Sequence, residues 1–258
     1  MTVTLVGAGP GDPALLTGAA RDALAGADVV VYDRPSLDEV VALAPADAEL
    51  RCVGLAPGRR ALPQAGVNAL LVELGRRHDA VVRLKSGDPF VASRGGEEAS
   101  ALREAGVAVR VVPGVSAALA APAAAGIPLM VRQLSVTLTV VDGNDDPEHG
   151  APPDWEALAR LGGTLVILTG RGRIRRIAAK LMDGGLAPDT PIAAISAASR
   201  AAQQVLRGTL AALPAPLPPP VTFVVGAVAA LDLTGPADET EPLAARPALA
   251  SGGARAHP

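Results

Sequence analysis

The chain has 258 residues, enough for one large or two small domains and for a core that needs no disulfide or metal staple. Apolar residues make up 49%, charged residues 19% and the formal net charge is −3, a globular rather than a disordered composition. Aromatics are only 2% (Tyr32, Phe90, Trp155 and Phe223), which argues against base stacking, and the mild acidity argues against bulk phosphate-backbone binding.

The predicted elements alternate through the first half. Residues 3–6 form a short buried strand that ends at Gly7. Residues 15–25 have helical spacing, with Asp12 or Thr17 as N-cap. A second strand covers 28–32, a short helix 37–43 and a third strand 49–53. Residues 67–77 read as a helix, 80–84 as a strand, 97–105 as a helix and 107–112 as a strand. Uninterrupted β-branched runs separated by helices predict a mostly parallel sheet covered on both faces. The texture changes at Pro113, where PGVSAALAAPAAAGIP reads as a helix interrupted by prolines. Residues 134–141 alternate apolar and polar and predict a half-exposed strand. Residues 144–154 read as a loop, 155–160 and 174–182 as helices, and 164–168, 192–195, 205–209 and 221–225 as strands, with more antiparallel character. Domains are therefore expected at 1–112 and 113–233, followed by an aperiodic Pro/Ala/Gly-rich tail at 234–258 expected to be disordered.

Targeting and metal signals are weak. The start MTVTLVGAGPGD lacks a basic n-region, so no signal peptide is expected, and no run of about 18 apolar residues escapes interruption. Cys52 is the single cysteine, which excludes an internal disulfide and suits a reducing cytoplasm. His78, His149 and His257 are far apart and carry no zinc spacing.

Three loops could carry chemistry. Gly7-Ala8-Gly9-Pro10-Gly11-Asp12 follows the first strand, and its glycines would allow close backbone approach to a ligand. It fails the dinucleotide fingerprint because Asp12 stands at the third glycine position, and Pro10 and Pro13 remove two donors. Asp33, with Arg34, closes the second strand at the edge where open α/β sheets bind ligands; a helix cap or a plain ion pair would explain it equally well. Arg83-Leu84-Lys85-Ser86-Gly87-Asp88-Pro89-Phe90-Val91 runs into Arg94-Gly95-Gly96-Glu97-Glu98 and repeats the glycine–acid–proline turn. Arg34, Arg59, Arg60, Arg94 and Arg132 lie on loops; solvated surface is the ordinary explanation, and convergence would suit a polycarboxylate.

Together these segments resemble the tetrapyrrole methylases. LVGAGPGDPALLT, DVVVYDR, VVRLKSGDPFV, RGGEE, VVPGVSAALAAPAAAGIPL, TLVIL-TG and VVGAV occur in the family's order across about residues 2–233. The resemblance implies two α/β domains of the class III methyltransferase type with S-adenosyl-L-methionine in the cleft between them, usually as a cytoplasmic homodimer. It implies cofactor contacts at Pro10, Ser86, Gly87, Asp88, Val91, Ser116, Ala117 and Thr169. Asp33 matches the family's proton acceptor and Arg34 follows it, while Arg94 and Arg132 would hold substrate carboxylates. The implied reaction, most like that of the members acting on uroporphyrinogen III, is a metal-free methyl transfer to ring carbons yielding precorrin-2 for sirohaem or cobalamin synthesis.

The chain also departs from the family pattern. Leu55 replaces a lysine regarded as a proton donor, and Thr169 replaces a methionine. Met130-Val131-Arg132-Gln133 stands for Thr-His-Arg-Asp, Asp142-Gly143-Asn144 for Thr-Gly-His, and Ala198 for a glycine. Other readings therefore stay open: a relative methylating a different nucleophile, a cofactor-binding paralogue without catalysis, and, more distantly, a dinucleotide oxidoreductase.

Overall fold

The computed structural model describes residues 1–34, 37–54, 61–144 and 151–234. Its chain divides into two compact units, Met1–Ala120 with Ala198–Ala202, and Ala121–Ala197 with the chain from Gln203 onward. Leu55, Arg59, Arg60 and the tail from 235 lie outside the described residues.

The first unit holds strands β1 (Thr2–Gly7), β2 (Val29–Tyr32), β3 (Glu49–Cys52), β4 (Ala80–Lys85) and β5 (Ala108–Val112). They form one sheet in the order β3-β2-β4-β1-β5, and every pairing is parallel. Helices α1 (Gly18–Ala25), α2 (Asp38–Val41), α3 (Gln64–Gly75) and α4 (Gly95–Glu104) connect the strands. The chain moves one way along the sheet through α1 and α2, then back through α3 and α4. Right-handed crossovers therefore place the two pairs on opposite faces. The side chains agree. Leu16, Ala20, Leu24, Leu37 and Val40 pack on Val6, Val30, Val82 and Leu84, whereas Val67, Leu71, Leu74 and Leu102 pack on Val3, Leu5, Val29 and Val81. This core is built of Val, Leu and Ala, as the scarcity of aromatics requires.

The predicted helix at 15–25 is two pieces. Asp12 Oδ1 accepts from Ala14 N and caps a short 3-10 turn, Pro13–Leu15. Thr17 Oγ1 accepts from Ala20 N and caps α1. Both candidate caps are used, and each is worth about 1 kcal/mol.

After β5, Ser116 precedes α5 (Ala117–Ala124), which runs on through Pro122. The second unit pairs β6 (Leu138–Asp142) in parallel with β7 (Thr164–Leu168). Beyond them come β10 (Val221–Val225), β8 (Pro191–Ser196) and β9 (Gln204–Thr209), all antiparallel to their neighbours. Helices α6 (Trp155–Leu161) and α7 (Ile174–Asp183) cover one face, with Trp155, Ile177 and Leu181 on Ile167, Ile192 and Phe223.

One predicted strand is shorter than expected. Residues 134–137 fall outside β6; Leu134 lies in a turn closed by Val131 and Ser135, with Gln133 in the left-handed region at φ 68°. Thr164 pins this turn, its Oγ1 lying 2.7 Å from the Leu129 carbonyl oxygen and 2.8 Å from Ser135 Oγ.

Candidate active site

The connections leaving neighbouring strands β1 and β4 run to opposite faces of the first sheet. That topology opens a crevice at the carboxyl ends of the strands, where open α/β sheets bind ligands. The loops there are tied to each other by backbone. Ala8 N donates to the Lys85 carbonyl at 2.7 Å. Gly9 and Gly87 exchange both their bonds, at 3.1 and 2.7 Å, as an isolated antiparallel bridge. Both glycines lie in the left-handed region, at φ 62° and 69°, which side chains beyond Cα disfavour.

Asp88 ties in the third loop. Its Oδ1 accepts from Phe90 N at 2.8 Å and its Oδ2 from Gly114 N, after β5, at 3.1 Å. Gly7, Gly87 and Gly114 meet so closely that a Cβ on Gly7 or Gly114 would collide with backbone of the other two. Ser116 Oγ accepts from Ala118 N at 3.2 Å and so caps the start of α5. Pro10, Ser86, Gly87, Asp88, Val91 and Ser116 thus stand on three loops at one sheet edge, and Ala117 opens the helix that follows the third.

Asp33 follows β2 at the same edge, its backbone oxygen so close to Gly54 that no side chain could replace that glycine's hydrogen. Its carboxylate, 31% exposed, makes an ion pair through Oδ1 with Arg83 Nη2. Arg34 is exposed beside it. Arg94 precedes α4, and its Nε donates to Glu97 Oε1 at 2.9 Å.

Beneath this edge lies a charged cluster that the motif reading did not isolate. Arg83 is 2% exposed, Lys85 4% and Glu98 0%. Arg83 donates to Glu98 Oε1 from Nε at 3.1 Å and from Nη2 at 2.9 Å, while Nη1 reaches the Val31 and Leu84 carbonyls. Lys85 Nζ lies 3.0 Å from both Glu98 oxygens, and Gln64 on α3 adds a contact at 3.4 Å. Burial pushes the Lys85 pKa down, and the Arg83 charge adds to that. Burial also opposes the Arg83 charge, but Asp33 and Glu98 outweigh it and hold the guanidinium above its ordinary value. Among the described residues, no buried side-chain nitrogen or oxygen lacks a hydrogen-bond partner. The available signal was period two: Arg83 and Lys85 share the β4 face of Val81, which packs on α3 and α4.

Arg132 and Thr169 stand in the second unit, outside this loop cluster. Arg132 is exposed in the turn closed by Val131 and Ser135. Thr169 follows β7 in the left-handed region at φ 61°, and its Oγ1 bonds Asp142 Oδ1. Asp142 Oδ1 also accepts from Asn144 N at 2.9 Å, and Asn144 Oδ1 accepts from Arg173 at 2.7 Å. The departures at 142, 144 and 169 are therefore one hydrogen-bonded set. Ala197 and Ser199, at φ 46° and 63°, flank Ala198, where the family has glycine.

The fold and this edge define an α/β protein with a glycine-rich loop cluster at the carboxyl ends of a parallel sheet. The model of the Tetrapyrrole (Corrin/Porphyrin) Methylases matches residues 2–214, and the chain belongs to that family. It is 46% identical over 210 residues to an S-adenosyl-L-methionine-dependent uroporphyrinogen III methyltransferase of Methanosarcina barkeri, covering 81% of this chain and 82% of that protein. It is 44% identical over 232 residues to a siroheme synthase of Photorhabdus laumondii, where the match covers 89% of this chain but 49% of the longer relative. Among solved structures, a uroporphyrin-III C-methyl transferase from Thermus thermophilus complexed with S-adenyl homocysteine superposes with a TM-score of 0.77. That pair is 39% identical, over 88% of this chain and 98% of the other.

Proposed function

We propose that this chain is an S-adenosyl-L-methionine-dependent C-methyltransferase that converts uroporphyrinogen III through precorrin-1 to precorrin-2. The observation that carries the reading is the loop cluster of Gly7, Gly9, Gly87 and Gly114 at the sheet edge, in a chain 46% identical to a relative of that activity. The edge fits the methyl donor chemically. It presents short residues and backbone on loops tied to one another by hydrogen bonds, which lets a large polar ligand approach closely.

Bound there, S-adenosyl-L-methionine supplies an electrophilic methyl group. Transfer of that methyl to a pyrrole carbon would leave the ring with a proton to lose. Asp33 takes that proton on a carboxylate whose direction the Arg83 pairing holds. Arg34, Arg94 and Arg132 bind side-chain carboxylates, for which guanidinium forks suit bidentate contact. Pro10, Ser86, Gly87, Asp88, Val91, Ser116, Ala117 and Thr169 contact the donor, and Asp88 and Ser116 also tie the loops after β4 and β5. The contribution of the protein is alignment of two bound reactants, which can supply much of the barrier reduction. We further propose a cytoplasmic homodimer in the sirohaem or cobalamin pathway. Exposed Met130, Leu134 and Val136 on the second unit give apolar surface for a partner copy.

The test compares wild type with Asp33→Asn for turnover of uroporphyrinogen III and for S-adenosyl-L-homocysteine affinity. Turnover should fall by about 100-fold or more, the usual worth of a general base, with affinity unchanged. Equal losses in both would make Asp33 a structural cap.

A further inference from the structure

We propose that Glu98 is a positioning residue for the reaction: a fully buried carboxylate that governs Asp33 through Arg83. The inference rests on the proposed role of Asp33 and adds the residue that tunes it.

The cluster has four charges and an unequal division of burial. Arg83, Lys85 and Glu98 are buried, and Asp33 is about one-third exposed. Arg83 gives Glu98 two of its donors and Asp33 one, with Nη2 shared between the two carboxylates. Its remaining edge is spent on the Val31 and Leu84 carbonyls, so the guanidinium plane has no freedom to turn. Lys85 gives Nζ to both Glu98 oxygens. Glu98 therefore compensates two buried cations. Gln64, from α3, is the neutral group that completes its shell.

This division matters for a base. A carboxylate facing an uncompensated buried guanidinium and ammonium would be held strongly in its charged form and would take a proton poorly. With Glu98 in place, most of that positive charge is already answered, and Asp33 keeps one directional bond to a partner that cannot rotate. Glu98 sits on α4, Arg83 and Lys85 on β4, and Asp33 after β2, so three elements converge to fix one part-exposed carboxylate through its Oδ1. A purely structural ion cluster would have no need to end on a carboxylate at the ligand edge.

Two variants test this against fold stability. Glu98→Gln keeps the shape and removes the charge. Arg83→Lys keeps the charge but cannot reach Glu98 and Asp33 together. Each is measured alone and in the Asp33→Asn background, by steady-state methyl transfer and by S-adenosyl-L-homocysteine binding. Expected for each alone is a fall in kcat of about 10-fold or more, with KM and homocysteine-product affinity within about 3-fold. In the Asp33→Asn background, the same change should cost less than about 2-fold, because its target is gone. Glu98→Asp, which keeps the charge one methylene short, should recover part of the loss. Equal fold losses in both backgrounds, or losses in KM and binding that match those in kcat, overturn the proposal. If Glu98→Gln does not fold, the Arg83→Lys cycle decides alone. If Asp33→Asn itself leaves turnover intact, it is the assignment of Asp33 that fails. An impaired Asp33→Asn with additive Glu98 effects refutes the present inference alone.

Discussion

Replacing Gly114 by alanine is the most direct probe of the loop cluster. The new Cβ would meet the Gly87 carbonyl oxygen and the Gly7 backbone, and neither is the movable end of a side chain. Overpacking against such atoms costs about 1–3 kcal/mol. To relieve it the loop must withdraw, which lengthens the 3.1 Å bond from Gly114 N to the Asp88 carboxylate. A hydrogen bond to a charged group contributes about 1.5–3 kcal/mol. The expected loss is about 3–5 kcal/mol, a large part of the roughly 5–15 kcal/mol that stabilises a typical protein. Urea denaturation at fixed protein concentration measures it, and S-adenosyl-L-homocysteine titration should show weakened binding in parallel. Gly66→Ala is the control: in α3 its Cβ would meet nothing closer than 3.6 Å, so helix propensity should make it stabilising by about 0.5–1 kcal/mol. A Gly114→Ala loss under about 1 kcal/mol with unchanged binding would refute the close-approach argument.

Other outcomes follow from the same geometry. Burial lowers the Lys85 pKa from 10.5, so the unfolded chain binds this proton more readily and the folded state gains stability as pH rises through that window. Lys85→Met lacks this gain, and the stability difference between wild type and variant, from melts at stepped pH, should move in favour of wild type towards pH 10.5; a flat difference contradicts it. Ala92 lies at φ 47°, so Ala92→Gly should stabilise by about 0.5–1 kcal/mol in the same melts, and a loss of stability would show that its conformation carries no strain.

Much of the fold is legible locally. Residues 164–168 and 221–225 are wholly buried runs, apolar but for Thr164 and Thr222, and both strands fall where the pattern places them. The loops after β1 and β4 were legible as glycine turns, and their shared edge follows from parallel pairing. Alternation misled at 134–137, because apolar and polar residues also alternate around a turn; the bonds of Thr164 to Leu129 and Ser135 decide the conformation, and they join residues distant in sequence. The charged cluster was hidden for a similar reason. Nothing in the local sequence marks Arg83 and Lys85 as an ion cluster, and only the packing of α4 on that face brings Glu98 beneath them. The membership of Ala198–Ala202 in the first unit has no local signature either; Arg200 lies against Gly11 there, with Nη2 at 3.4 Å from its carbonyl oxygen.

The central claim is methyl transfer to a tetrapyrrole. Anaerobic incubation of the purified chain with uroporphyrinogen III and methyl-labelled S-adenosyl-L-methionine, followed by analysis of both products, measures it. The account predicts a dimethylated tetrapyrrole and two molecules of S-adenosyl-L-homocysteine formed for each one. Tight binding of S-adenosyl-L-homocysteine with no label in the tetrapyrrole would contradict it.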